Sequence, residues 1–221
     1  GLLGLVVYAW WERVSAHPMT PPRLVENRPF FGLNLATLLI YGAASIMFFL
    51  LPFELVDRRG LSATDAGLAF LPFTLAVGFL SRFFGALSDK IGGRILLISG
   101  PAVATVAYAW MALGREASLV LGVIGPMALL GLAFAAIAAP LTATVLSSVD
   151  QADEGLASGV NNAVSRVAQL VGVALAAGVS SWAFGYQAGL AAAAAASMAG
   201  ALAVAATMPR HAADPQRPGR A

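Results

Sequence analysis

Cysteine is absent from the 221 residues, and charge is scarce: Asp, Glu, Lys and Arg make up 11% of the chain, against roughly 25% in an average soluble domain. Without cysteine there is no disulfide scaffold, no thiolate metal centre and no cysteine nucleophile. Histidine is nearly as rare. The two present, His17 and His211, stand in separate polar segments and supply no ligand cluster. The thirteen basic residues are scattered rather than gathered on one stripe, so the sequence carries no nucleic-acid footprint. It also lacks a phosphate-cradling glycine loop and a nucleophile triad. Nothing in it implies a metal, a cofactor or an enzyme.

Apolar residues are what the chain has in excess. They account for 59% of it, and the mean hydropathy is +0.80. They fall in six long blocks, residues 31–53, 66–87, 95–113, 118–146, 156–184 and 188–208. Each comes near the ~20 residues that carry a helix across a bilayer. Arg82 and Arg166 are the only charges inside them. The blocks do not alternate apolar with polar as transmembrane strands do. In lipid the backbone must bond to itself, so the blocks are expected to be helices. Pro140 is expected to kink the fourth.

A shorter apolar run, residues 1–11, covers ~16 Å as helix, about half of a ~30 Å hydrocarbon core. It has neither the basic start nor the cleavage site of a signal peptide, and it is read as the end of a preceding spanning helix. Residues 12–29 are then a linker, 30–208 a six-helix bundle and 209–221 a tail. Alternate connections divide the basic residues into two sets. Arg13, Arg23, Arg28, Lys90, Arg94, Arg210, Arg217 and Arg220 form one; Arg58, Arg59 and Arg115 form the other. The positive-inside rule puts the larger set, with linker and tail, in the cytoplasm. A Gly-Leu-Ala-Phe string occurs at residues 67–70 and 131–134, but at non-equivalent places in the two groups of three helices, and so it establishes no repeat.

Polar residues inside apolar blocks are the candidate functional groups. Arg166 lies ~15 Å along its block, where a charge must face protein or water. Asn162, Arg166 and Gln169 share a helix face. They either line a transport pathway and meet an anionic group, or Arg166 pairs with the acidic loop of Asp150, Asp153 and Glu154. Asn34, Thr74 and Asn161 either line a cavity or bond between helices. Arg82 stands near a helix end, where snorkelling suffices. Glu54 is expected to be solvated or paired with Arg58. Gly155, Gly159 and Ala163 recur every fourth residue, as do Ala196 and Gly200, a spacing that lets helices approach closely.

The string GALSDKIGGR, residues 85–94, reads as a tight basic turn between the second and third blocks. Here the chain resembles the major facilitator superfamily, whose loop motif Gly-x-x-x-Asp-Arg/Lys-x-Gly-Arg/Lys-Arg/Lys is matched by Gly85, Asp89, Lys90, Gly92 and Arg94. Gly93 departs from it. Leu51, Pro52, Leu55, Gly60, Ala66, Gly67, Leu71 and Pro72, and the run ASGVNNAVSRVAQLVGVAL at 157–175, are similar to the fourteen-helix drug:proton antiporter branch. Glu54 and Val56 replace that branch's usual aromatic and Gln. The resemblance implies the C-terminal half of a major-facilitator bundle in a bacterial inner membrane. It implies alternating access and efflux of a lipophilic or cationic small molecule against protons, with an N-terminal half of the same chain as partner. The alternatives are a transporter of another small solute and a membrane scaffold that transports nothing.

Overall fold

The computed structural model describes residues 26–209 except Ala183, together with Trp11 and Leu24 as isolated positions. Apart from Trp11 and Pro209, the expected end of a preceding helix and the tail lie outside the described residues, as does most of the linker. Six long helices carry the fold: α1 (Arg28–Phe53), α2 (Leu71–Ile91), α3 (Gly93–Leu113), α4 (Gly125–Ser147), α5 (Glu154–Ser180) and α6 (Gly185–Thr207). With their flanking turns all six are long and apolar enough to cross a membrane. The chain is an all-helical integral membrane protein, and no strand occurs among the described residues.

Local chemistry sets the helix ends. Asn27 caps α1: its Oδ1 accepts from the Phe30 N–H at 3.0 Å while its Nδ2 donates to the Ser148 carbonyl at 2.7 Å, tying the start of α1 to the end of α4. A π-helical turn, Glu54–Arg58, prolongs α1, and another, Val120–Ile124, leads into α4 at the same end of the bundle. Between α2 and α3 only Gly92 is non-helical, at φ +85°, a conformation that glycine adopts without steric cost. The connection expected between the second and third blocks, residues 88–94, is therefore one residue long, and Gly85, Asp89 and Lys90 lie on the last turns of α2. The fifth block ends four residues earlier than its composition suggests: α5 stops at Ser180, and the Trp182 N–H turns back to the Val179 carbonyl. Helix α4 runs through Pro140 as one element.

Five extensive pairings build the bundle: α1 with α5, α1 with α6, α3 with α6, α3 with α4, and α2 with α4. Exchanging α1 with α4, α2 with α5 and α3 with α6 maps this set onto itself. The two groups of three helices are thus related by packing, although no sequence repeat reveals it. Both peripheral seams rest on glycine. A Cβ on Gly172 of α5 would run into the Gly42 carbonyl of α1 and come within 2.9 Å of Ser45 Cβ. A Cβ on Gly131 of α4 would lie 2.8 Å from the Phe73 backbone of α2. In the central seam the fully buried Ser197 of α6 donates to the Pro101 carbonyl of α3 at 2.9 Å.

Of the small residues picked out by spacing, Gly200 is packed, 3.0 Å from Ile40 Cγ1 at its would-be Cβ. Gly155 and Gly159 meet nothing within 4 Å and lie on an exposed face. The close approach of α5 uses Gly172 instead, on a different face of the helix.

Helices α2 and α5 stand at the two ends of this chain of pairings and make no extensive contact with each other. None of the residues of α2 is buried against the described residues, and α5 buries only Ala157, Ala168, Gly172 and Ala176. The core lies between the other four helices, around Leu33, Met47, Leu97, Tyr108, Met127 and Ile137.

Candidate functional site

On α5 the stripe at Ala157, Ala168, Gly172 and Ala176 is spent on α1. A different face carries Gly155, Gly159, Asn162, Arg166 and Gln169, related by three- and four-residue steps. Asn162 and Arg166 are exposed and Gln169 is half-buried. Among the described residues Arg166 has no hydrogen bond or ion pair, so pairing with Asp150, Asp153 or Glu154 is not what holds it. The twelve residues from Glu154 to Arg166 span about 18 Å of helix, beyond the reach of those acids.

Thr74 is exposed near the start of α2, its hydroxyl donating to the Phe70 carbonyl one turn back at 3.2 Å. Asn34 is elsewhere. It is buried in the α1–α5 seam, where its Oδ1 accepts from Asn161 Nδ2 at 3.2 Å and its Nδ2 donates to the Phe30 carbonyl at 2.9 Å. The same Asn161 Nδ2 donates to Thr37 Oγ1 at 2.8 Å. Asn34 and Asn161 thus bond between helices. The structure brings Asn162, Arg166 and Gln169 together on one face and leaves Thr74 on a separate helix.

At the α2–α3 turn the five motif residues divide their roles. Arg94 reaches across to the end of α6, donating from Nε to the Met208 carbonyl at 3.0 Å and from Nη2 to the Ala205 carbonyl at 2.9 Å. A guanidinium there satisfies two of the carbonyls that a helix end leaves unpaired and complements its dipole. Arg94→Ala is expected to cost about 1.5–3 kcal/mol through these charge-assisted bonds, read as a lower unfolding temperature of the detergent-purified protein. Arg94→Lys, which cannot fork, is expected to recover only part. Asp89 and Lys90 are exposed, and Asp89 has no hydrogen bond or ion pair among the described residues.

Sequence reasoning missed most of a polar cluster at the other end of the bundle. Glu54 is buried, with its side chain 3% exposed. Its expected partner Arg58 is there, Nη1 to Oε1 at 2.8 Å. The larger partner is Arg115, from the α3–α4 connection. Its Nε lies 3.1 Å from both carboxylate oxygens and its Nη2 lies 2.9 Å from Oε2. Arg115 Nη1 donates to Gln187 Oε1 at 2.8 Å, and its guanidinium stands 5.4 Å from the centre of the Tyr186 ring. Arg58 also pairs with Glu116, and Arg59 donates to the carbonyls of Ala117 and Arg115. Arg58, Arg59 and Arg115, grouped by the parity of the connections, do meet at one end. The i,i+4 spacing of Glu54 and Arg58 is the only local signal. Arg115 is 61 residues away in sequence.

Six helices long and apolar enough to span a membrane, two of them with open faces, and an Arg166 without a partner among the described residues, define a polytopic membrane protein. The sequence profile of the Major Facilitator Superfamily matches residues 3–221. The chain belongs to that superfamily, and so stands among membrane transporters rather than enzymes. It is similar to the cephamycin export protein CmcT of Amycolatopsis lactamdurans, 31% identical over 79% of this chain and 37% of that one. It is 33% identical to the lincomycin resistance protein of Streptomyces lincolnensis, over 74% and 34% of the two chains. The multidrug resistance protein Stp of Mycobacterium tuberculosis is 27% identical over 81% and 34%. The chain spans about a third of the length of these curated relatives.

Proposed function

We propose that this chain forms the C-terminal bundle of a proton-coupled exporter of small molecules, working by alternating access with a second bundle of the same protein in a bacterial inner membrane. The observation that carries the reading is the polar face of α5, with Asn162 and Arg166 exposed and Gln169 half-buried, left open beside the apolar core. A polar face at that depth is costly against lipid and favourable against a wet pathway. Thr74 adds a hydroxyl from α2, while Asn34 holds α5 against α1 behind the pathway. The C-terminus is cytoplasmic in this reading, by the bias of the basic connections. The similarity to export and resistance proteins supports small drug-like cargo.

The test is drug accumulation in cells that lack their own exporters and produce the intact protein. A cephamycin and lincomycin, the compounds in the relatives' names, are the first probes. Lower accumulation of at least one, restored by a protonophore, is the expected result. Unchanged accumulation across a wider panel of lipophilic cations and neutral drugs would count against export.

Asp89 is proposed to act on conformation rather than on cargo. Its carboxylate, on the last turn of α2 and without a partner among the described residues, is suited to the N–H groups at the start of α5 near Gly155 in a state closed at that end. Asp89→Asn is expected to lower export at least threefold with the protein still folded; export equal to wild type would remove this role.

A further inference from the structure

The charge on α5 has a consequence for what the pathway accepts. Twelve residues separate Arg166 from Glu154 and fourteen separate it from Ser180, about 18 and 21 Å of helix rise. Half of a ~30 Å hydrocarbon core is about 15 Å, so Arg166 sits near the midplane, too deep for its side chain to snorkel to either surface. Arg82 stands eleven residues from the start of α2 and nine from its end, about 16 and 14 Å of helix rise.

Among the described residues no carboxylate is within reach of Arg166. The acid on α5 is Glu154, with Asp153 just before it, at the far end of the helix. Helices α4 and α6 contain no Asp or Glu, and α1 contains none before the π-helical turn, where Glu54 is already engaged by Arg58 and Arg115. A guanidinium stays charged at any physiological pH and offers a planar fork of donors that fits a carboxylate with two parallel bonds. Asn162, four residues before it, and Gln169, three after, flank it on the same face and add amide donors. The face therefore has donors and positive charge and lacks the acid that would neutralise them.

We propose that Arg166, flanked by Asn162 and Gln169, is a carboxylate-binding site that selects cargo bearing a carboxylate. This rests on the exporter reading above and narrows it: the pathway wall formed by this half favours anionic or zwitterionic molecules. A carboxylate side chain from another part of the protein has the same chemistry, and the test separates the two sources.

The test uses two dyes with one ring system. Rhodamine 110 carries a free carboxylate, and rhodamine 123 is its methyl ester. Export of each is followed from energised cells that produce the intact protein, and the rate ratio of carboxylate to ester is the readout. In Arg166→Gln this ratio is expected to fall at least tenfold. Arg166→Lys, a point charge without the fork, is expected to keep an intermediate ratio. Asn162→Leu leaves the charge in place and is expected to lower the ratio about threefold, a second reading if Arg166→Gln fails to fold.

Loss of both dyes in parallel, with the ratio unchanged, would overturn the proposal and assign Arg166 to a carboxylate of the protein itself. An unchanged ratio with unchanged rates would overturn it as well, as would a wild-type protein that moves the ester alone or neither dye. In none of these cases does the exporter reading fall, because that is decided by the accumulation of the antibiotics and the wider panel.

Discussion

Replacing Gly172 by valine is expected to force α1 and α5 apart. A Cβ at Gly172 runs into the backbone carbonyl of Gly42, and it also meets Ser45 Cβ at 2.9 Å. A backbone oxygen cannot rotate away as a side chain can, so one of the helices must shift. Overpacking of a tight interior costs about 1–3 kcal/mol, and this seam has no slack to lower that figure. The shift also strains the Asn161 bonds to Asn34 and Thr37 on the same interface. Alanine is expected to act in the same direction and less strongly. Gly178, on the same helix, has nothing within 4 Å, so Gly178→Ala is expected to leave the unfolding temperature of the purified protein unchanged. If Gly172→Val unfolds no earlier than Gly178→Ala, the seam is not the close contact described here. Gly131→Val is expected to behave like Gly172→Val, because its Cβ would press on Phe73 across the related seam between α2 and α4.

That seam shows why the spans were legible in the sequence and their pairing was not. Length and apolar composition decide whether a segment crosses a bilayer, and all six blocks reappear as helices. Which helix lies beside which depends on faces. In α1, α4 and α6 every face is apolar, so periodicity has no polar side to mark. Spacing drew attention to Gly155, Gly159 and Ala163, which are as regular as a packing stripe. The α5 glycine that packs closely on α1 is Gly172, and nothing in the sequence distinguishes it from them. The polar residues divide similarly. The common face of Asn162, Arg166 and Gln169 followed from helical spacing alone, and the structure leaves it open. Asn34 was equally consistent with a cavity or an interhelical bond. Its burial against Asn161 depends on the depth at which α1 and α5 cross, which is a tertiary fact.

Glu54 gives the second large effect, because its burial makes its partners necessary. Arg115→Ala is expected to destabilise the bundle by about 3–5 kcal/mol, the cost of removing one side of a buried ion pair and leaving the other charge uncompensated. Arg58 remains, but it makes one bond to Glu54 and is drawn outward by Glu116. The substitution also removes the bond to Gln187 and the cation over Tyr186, and with them the polar link between the end of α1 and the start of α6. Glu54→Gln alone is expected to cost less, since a neutral amide carries a smaller desolvation penalty than a carboxylate. The decisive comparison is the double variant, Glu54→Gln with Arg115→Ala. If the cost of Arg115→Ala comes from a stranded carboxylate, removing both charges recovers much of the lost stability, and the two substitutions are strongly non-additive. If the losses simply add, Glu54 and Arg115 act independently and the cluster is not a clasp. Either result is read from unfolding temperatures of the intact protein in one detergent at one pH.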